Sequence, residues 1–126
     1  MKIESASVLM RARHWSNAYY LAGYAIEIAL KAVIARQIST DTIPKKDFIL
    51  KIYTHDINQL RGLAGLKAEY DDTAKMDSLF AANWAICSEW SPDVRYEEKS
   101  SAEAHYILSA ATDSKHGVLP WIMKYW

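Results

Sequence analysis

Alanines at positions 18, 22, 25, 29 and 32 recur in steps of three and four. That spacing lines one side of an α-helix with small side chains. The helix it predicts runs from Ser16 through Gln37 to about Ile38. A second stripe, Leu21, Ile28 and Ala35, widens the apolar surface, with Ile26, Leu30 and Val33 between. A helix so broadly apolar is expected to be buried on most sides. Glu27 and Lys31 are the only charges inside it before Arg36, and they stand in the favourable acid-before-base order at i, i+4. Gly23 costs roughly 1 kcal/mol against alanine in mid-helix. Close approach of another helix is the expected compensation. Such a strut predicts an all-α chain.

The flanking segments read the same way. Ile3 to Arg13 is a short helix with Ala6, Leu9 and Met10 on one face and Arg11 and Arg13 near its end, where cations suit the helix dipole. His14–Asn17 is the corner, with Ser16 or Asn17 as the cap of the central helix. The stretch Ser39 to Pro44 ends that helix, because residues before proline avoid helical angles. Lys45 to Tyr53 is a further helix, since nothing near it reads as a strand partner. Thr54 is expected to cap a helix over 55–66, frayed by Gly62 and Gly65. Asp71 or Asp72 is expected to cap the next, ending near Trp90, with Met76, Leu79, Phe80, Asn83, Ile86 and Cys87 as its face and Trp84 beside them. Ser91-Pro92-Asp93 is a turn. Ser100 and Glu103 form a capping box opening the last helix, with Ala104, Ile107, Leu108 and Ala111 inward. Gly117 and Pro120 end or kink it before Trp121–Trp126. The expectation is one domain, residues 1–126, folded as an up-and-down bundle of four to five helices.

The balance of 15 basic and 15 acidic residues excludes a global positive field for nucleic acid. The basic patch of Arg11, Arg13 and His14 with Lys45 and Lys46 reads as solvated surface. A single cysteine, Cys87, excludes an internal disulfide and fits a reducing cytoplasm. No metal-ligand spacing and no phosphate-binding glycine loop occur, so the sequence asks for no metal or cofactor. No apolar run reaches about 18 uninterrupted residues, so no membrane span is expected. Five tryptophans and eight tyrosines in 126 residues imply a heavily packed core, an interface, or both.

Three segments together resemble the HEPN superfamily of small helical proteins. They are Ala18-Tyr-Tyr-Leu-Ala-Gly-Tyr-Ala-Ile-Glu-Ile-Ala-Leu-Lys-Ala32, Thr54-His-Asp-Ile-Asn-Gln-Leu60 and Trp90-Ser-Pro-Asp-Val-Arg-Tyr96. The resemblance implies a HEPN-like bundle acting as a homodimer in the cytoplasm, in a defence or toxin–antitoxin setting. Many such proteins are metal-independent ribonucleases marked by an arginine four to six residues before a histidine. Others bind nucleotides or RNA, or partner nucleotidyltransferase-like proteins. Here Arg95 precedes His105 by ten residues and no other Arg–His pair fits. In one continuous helix that pair would stand about 80° and about 15 Å apart. The reading is therefore a non-catalytic module that binds nucleotide, RNA or a partner protein. An endoribonuclease with a degenerate site built from Arg95 and His105 is the alternative, and a structural subunit docking onto a larger enzyme is a third.

The candidate ligand-binding residues are Arg95, Tyr96, His55, Lys31 and Glu27. Arginine forks onto phosphate and tyrosine stacks on a base. Against this, Arg95 equally serves to bind loop carbonyls or to pair with Glu27, Glu97 or Glu98. His55, expected at the first helical position after Thr54, is a base or a hydrogen-bonder that fixes the loop. Glu27 and Lys31 are either an ordinary surface pair or an internal polar pocket that holds Arg95. His116 suits a helix C-terminus, and Trp121, Tyr125 and Trp126 either close the core or form a dimer contact.

Overall fold

The computed structural model describes residues 2–38 and 44–126, with Arg95 described by its backbone only. It is all-α. The order is α1 (Lys2–Arg11), α2 (Trp15–Gln37), α3 (Lys46–Ile52), α4 (Ile57–Leu63), α5 (Lys67–Met76), α6 (Ser78–Ser88), a 3₁₀ turn (Pro92–Tyr96), α7 (Ser101–Thr112) and α8 (Val118–Met123). No strand occurs among the described residues.

The long helix α2 is the axis. Helices α1, α4, α7 and α8 and the 3₁₀ turn all pack on it. Ala18, Ala22 and Ala29 are buried with Tyr19, Ile26, Leu30, Val33 and Ile34. Each fully buried aliphatic side chain of this size stabilises the fold by about 1.5–3 kcal/mol. Ala32, the last alanine of the first stripe, faces solvent; in the second stripe Leu21 packs against the core while Ile28, 41% exposed, and Ala35 face outward. By length and composition α2 is able to cross a membrane, although its sequence holds no uninterrupted apolar run. More than half of its apolar window is buried in the bundle, and Glu27 sits in its middle.

Among the described residues eight α-helices stand where four or five are expected, and one cause is Asp77. It splits the segment 67–88 into α5 and α6. Its backbone is extended and its Oδ1 accepts the Phe80 N–H at 3.0 Å, capping α6. Asp71 and Asp72 lie inside α5 and cap nothing. The bend carries Met76 (87% exposed) and Leu79 (59%) outward, while Phe80, Trp84 and Cys87 go in. Asp77 Oδ2 also meets His116 Nδ1 at 2.6 Å, which joins the α5–α6 corner to the α7–α8 turn. His116 is thus a cross-link between corners rather than a group at a helix end.

Other caps also move. The first turn of α2 follows His14 without a side-chain cap, and Ser16 Oγ accepts the Lys99 N–H at 2.9 Å instead. Asp56, not Thr54, caps α4, accepting from the N–H groups of Asn58 and Gln59. The capping box of α7 is present on both sides, Ser100 accepting from Glu103 N–H and Glu103 from Ser100 N–H. Pro120 falls in the first turn of α8, where a missing N–H costs no helical bond. Trp121 is buried against Phe80, Trp84 and Tyr70 and so closes the core, whereas Trp126 is 46% exposed. The expected break at Ser39–Pro44 falls largely on residues 39–43, outside the described residues.

Candidate functional site

The site begins with a gap in α2. A Cβ added to Gly23 would lie 2.1 Å from the Trp90 ring. The glycine therefore lets an indole, not a second helix, lie on the α2 backbone. Trp90 Nε1 donates to the Tyr20 carbonyl at 3.1 Å, and its ring lies 6.0 and 6.4 Å from those of Tyr20 and Tyr24. This seats the α6 end and the following turn, Pro92–Tyr96, against α2.

One helical turn beyond Gly23 stands Glu27, 2% exposed and the only charged residue among the buried residues described. Burying a carboxylate costs several kcal/mol unless partners compensate. Two of the described residues do so. His55 Nδ1 lies 2.5 Å from Glu27 Oε1, and Lys31 Nζ lies 3.7 Å from Oε2. The surface-pair reading of Glu27 and Lys31 is overturned, because Glu27 is interior and its closer partner is a histidine 28 residues away in sequence.

His55 is outside α4, in the loop before it, not at its first helical position. Thr54 Oγ1 accepts the Asp56 N–H at 3.2 Å, and the Asp56 cap holds the loop to α4. The loop thereby presents a half-exposed imidazole, its side chain 53% accessible, with one edge on Glu27. A carboxylate only accepts, so Nδ1 is the nitrogen that donates to Glu27, and Nε2 is the ring nitrogen turned away from it. Asn58 is fixed from behind, its Oδ1 accepting Trp84 Nε1–H at 2.8 Å. Ser88 Oγ donates to the Trp84 carbonyl at 2.7 Å.

These groups edge an open cleft of about 300 Å³ between His55–Asn58 on one side and Ser88–Ser91 on the other. Trp90 lines it and Glu89 is exposed beside it. Among its described lining residues Asp56 and Glu89 are acidic and His55 is the one imidazole. Among the described residues no group of three His, Cys, Asp or Glu side chains is placed to hold a metal.

The structure thus brings together Glu27, Lys31 and His55, and places the backbone turn of Arg95 and Tyr96 directly after the Trp90–Ser91 wall. Tyr96 is 77% exposed. His105 goes elsewhere. Its Nδ1 is bonded to the Ser101 carbonyl at 2.7 Å and its ring lies 5.8 Å from Trp15. Trp15 belongs to a second polar cleft of about 300 Å³, lined also by Arg13, His14, Asn17 and Lys99. Lys99 is already paired there with Glu97 and Glu103.

Trp90, Asn58 and Ser88 are parts of the cleft that sequence reasoning missed. The signal for Trp90 is Gly23, a glycine in mid-helix that demands a close neighbour. Asn58 and Ser88 carry no signal of their own. No protein-family model, no curated protein and no solved structure matches the chain.

Proposed function

We propose that this chain is a HEPN-like helical module that binds a nucleotide or RNA, without catalysis, in the cleft between His55 and Trp90. The observation that carries this reading is the buried Glu27 holding a half-exposed His55 at the mouth of that cleft. A buried carboxylate is a poor stabiliser compared with an apolar side chain of the same size. Its place in the central helix is accounted for by the orientation it imposes on an accessible imidazole. The turn that carries Arg95 and the exposed Tyr96 continues from the cleft wall, which places a phosphate-binding residue type and a stacking residue type next to it.

The test is binding of fluorescein-labelled single-stranded RNA, read by anisotropy in EDTA. Binding that weakens at least about tenfold in His55→Ala and in Arg95→Ala supports the reading, the loss of one direct polar contact to nucleic acid being worth about 1–3 kcal/mol. Binding unchanged in both variants, or absent in the parent chain, contradicts it. The same samples run on a gel read the alternative. RNA cleaved by the parent and intact with His105→Ala replaces the binding module with an endoribonuclease.

A further inference from the structure

We infer that Asn58 reads the base in the cleft: its carboxamide offers a fixed N–H donor to an exocyclic keto oxygen, so that uracil and guanine are taken in preference to cytosine and adenine. The inference rests on the proposed nucleotide or RNA ligand and adds which bases the cleft selects and through which residue.

The orientation of Asn58 comes from the core. Trp84 is 2% exposed and is packed by Tyr70, Phe80 and Trp121, with ring centroids 5.0, 6.2 and 5.8 Å from its own. The Arg61 guanidinium lies 5.1 Å from the same ring. A ring so closely packed does not turn, and its Nε1 meets Asn58 Oδ1 at 2.8 Å. An indole N–H only donates, so the Asn58 atom that meets it is the oxygen at any pH. A carboxamide is planar, so fixing Oδ1 also fixes Nδ2. The Asn58 backbone N–H is held as well, donating to Asp56 Oδ1 at 2.9 Å. Among the described residues the Asn58 side chain is bonded through Oδ1 alone. Its Nδ2 donors are left on an exposed residue that lines the cleft with His55, opposite Ser88–Ser91.

Satisfying the indole takes only an oxygen. The amide nitrogen is the part that the bond to Trp84 does not use. A fixed donor separates bases by their exocyclic group. Uracil O4 and guanine O6 accept, whereas cytosine N4 and adenine N6 set a donor against a donor. Contacts to phosphate and sugar are the same for every base and cancel in a comparison of two sequences.

The experiment is fluorescence anisotropy in EDTA with labelled oligouridylate and oligocytidylate of equal length, read as the ratio of their dissociation constants. The parent chain is expected to bind oligouridylate at least about fivefold more tightly, the lower end of the range for one base contact. Asn58→Asp keeps an oxygen for the Trp84 N–H and exchanges the donor for an acceptor. Circular dichroism verifies its folding. The added charge weakens both RNAs alike and leaves their ratio untouched. The ratio is expected to turn in favour of oligocytidylate, because a carboxylate accepts from cytosine N4. A role confined to holding Trp84 leaves the ratio as it is in the parent. Equal affinity of the parent for the two RNAs, or a ratio unchanged in Asn58→Asp, overturns the assignment. If Asn58→Asp does not fold, the parent is compared on oligoinosinate and oligoadenylate, which carry a keto and an amino group at the same ring position. Tighter binding of oligoinosinate supports the assignment and equal binding overturns it. A parent that binds none of these RNAs removes the nucleotide reading itself. A parent that binds them all alike keeps that reading and removes the role of Asn58, so the two failures are distinguishable.

Discussion

Arg13 and Gly65 occupy the same place in two helix endings. After α1, Arg13 N–H reaches the Met10 carbonyl and His14 N–H the Leu9 carbonyl. After α4, Gly65 N–H reaches Gly62 and Leu66 N–H reaches Arg61 in the same pattern. Both residues are left-handed, φ +64° for Arg13 and +72° for Gly65. Glycine adopts that conformation freely; a residue with a Cβ loses roughly 1–2 kcal/mol there. Arg13→Gly is therefore expected to raise the unfolding free energy by about 1 kcal/mol in urea titrations. The opposite sign is expected at Gly23. Alanine is the better helix former, by roughly 1 kcal/mol, but its Cβ would stand 2.1 Å from the Trp90 ring. Overpacking of this kind costs about 1–3 kcal/mol. Gly23→Ala should lower the urea midpoint and, by displacing Trp90, change the tryptophan emission. A midpoint at or above the parent's would contradict the close approach. At this scale the sequence shows Glu27 as a solitary acid on an apolar helix and His55 as a solitary imidazole. What it does not show is that they touch, because nothing local encodes a contact across 28 residues and a loop.

Elements were legible where their signals are local. The capping box of α7 lies within four consecutive residues, and Ser100 and Glu103 make both of its bonds. The corner at Asp77 was hidden by the same logic. Apolar residues recur at helical intervals straight through it, so the pattern reads as one helix with Met76 and Leu79 inside. At Asp77 the carboxylate meets both the local Phe80 N–H and the distant His116 of the α7–α8 turn. The bond from His116, and then that from the Phe80 N–H, hold the Asp77 carboxyl below the usual aspartate range. A carboxyl that titrates lower folded than unfolded contributes stability that is whole above the ordinary range and is lost as pH falls through the folded value. Asp77→Asn should thus lower the urea midpoint at neutral pH. The gap between variant and parent should close as the pH is taken down through that window. A gap that persists unchanged into strong acid would show that the corner does not depend on the Asp77 charge.

For the whole molecule, fold class follows from α2, whose small-residue stripe is expressed in three buried alanines and in the helices packed over them. The short helices α3 and α4 fall where the sequence predicts them, whereas the separate α8 is less legible, because a six-residue helix is stabilised by what it packs on rather than by its own propensity. The same holds for the candidate site. Its parts come from α2, the α3–α4 loop, the end of α6 and the turn after it, and only the fold assembles them. That assembly is the central claim. It is tested most directly by backbone amide shifts in ¹⁵N-labelled protein on titration with a short single-stranded RNA in EDTA. The shifts are predicted to cluster at residues 55–58 and 88–96 and around Glu27. Shifts confined to residues 13–17 and 98–105, around the second cleft, or no shifts at saturating RNA, would contradict the account.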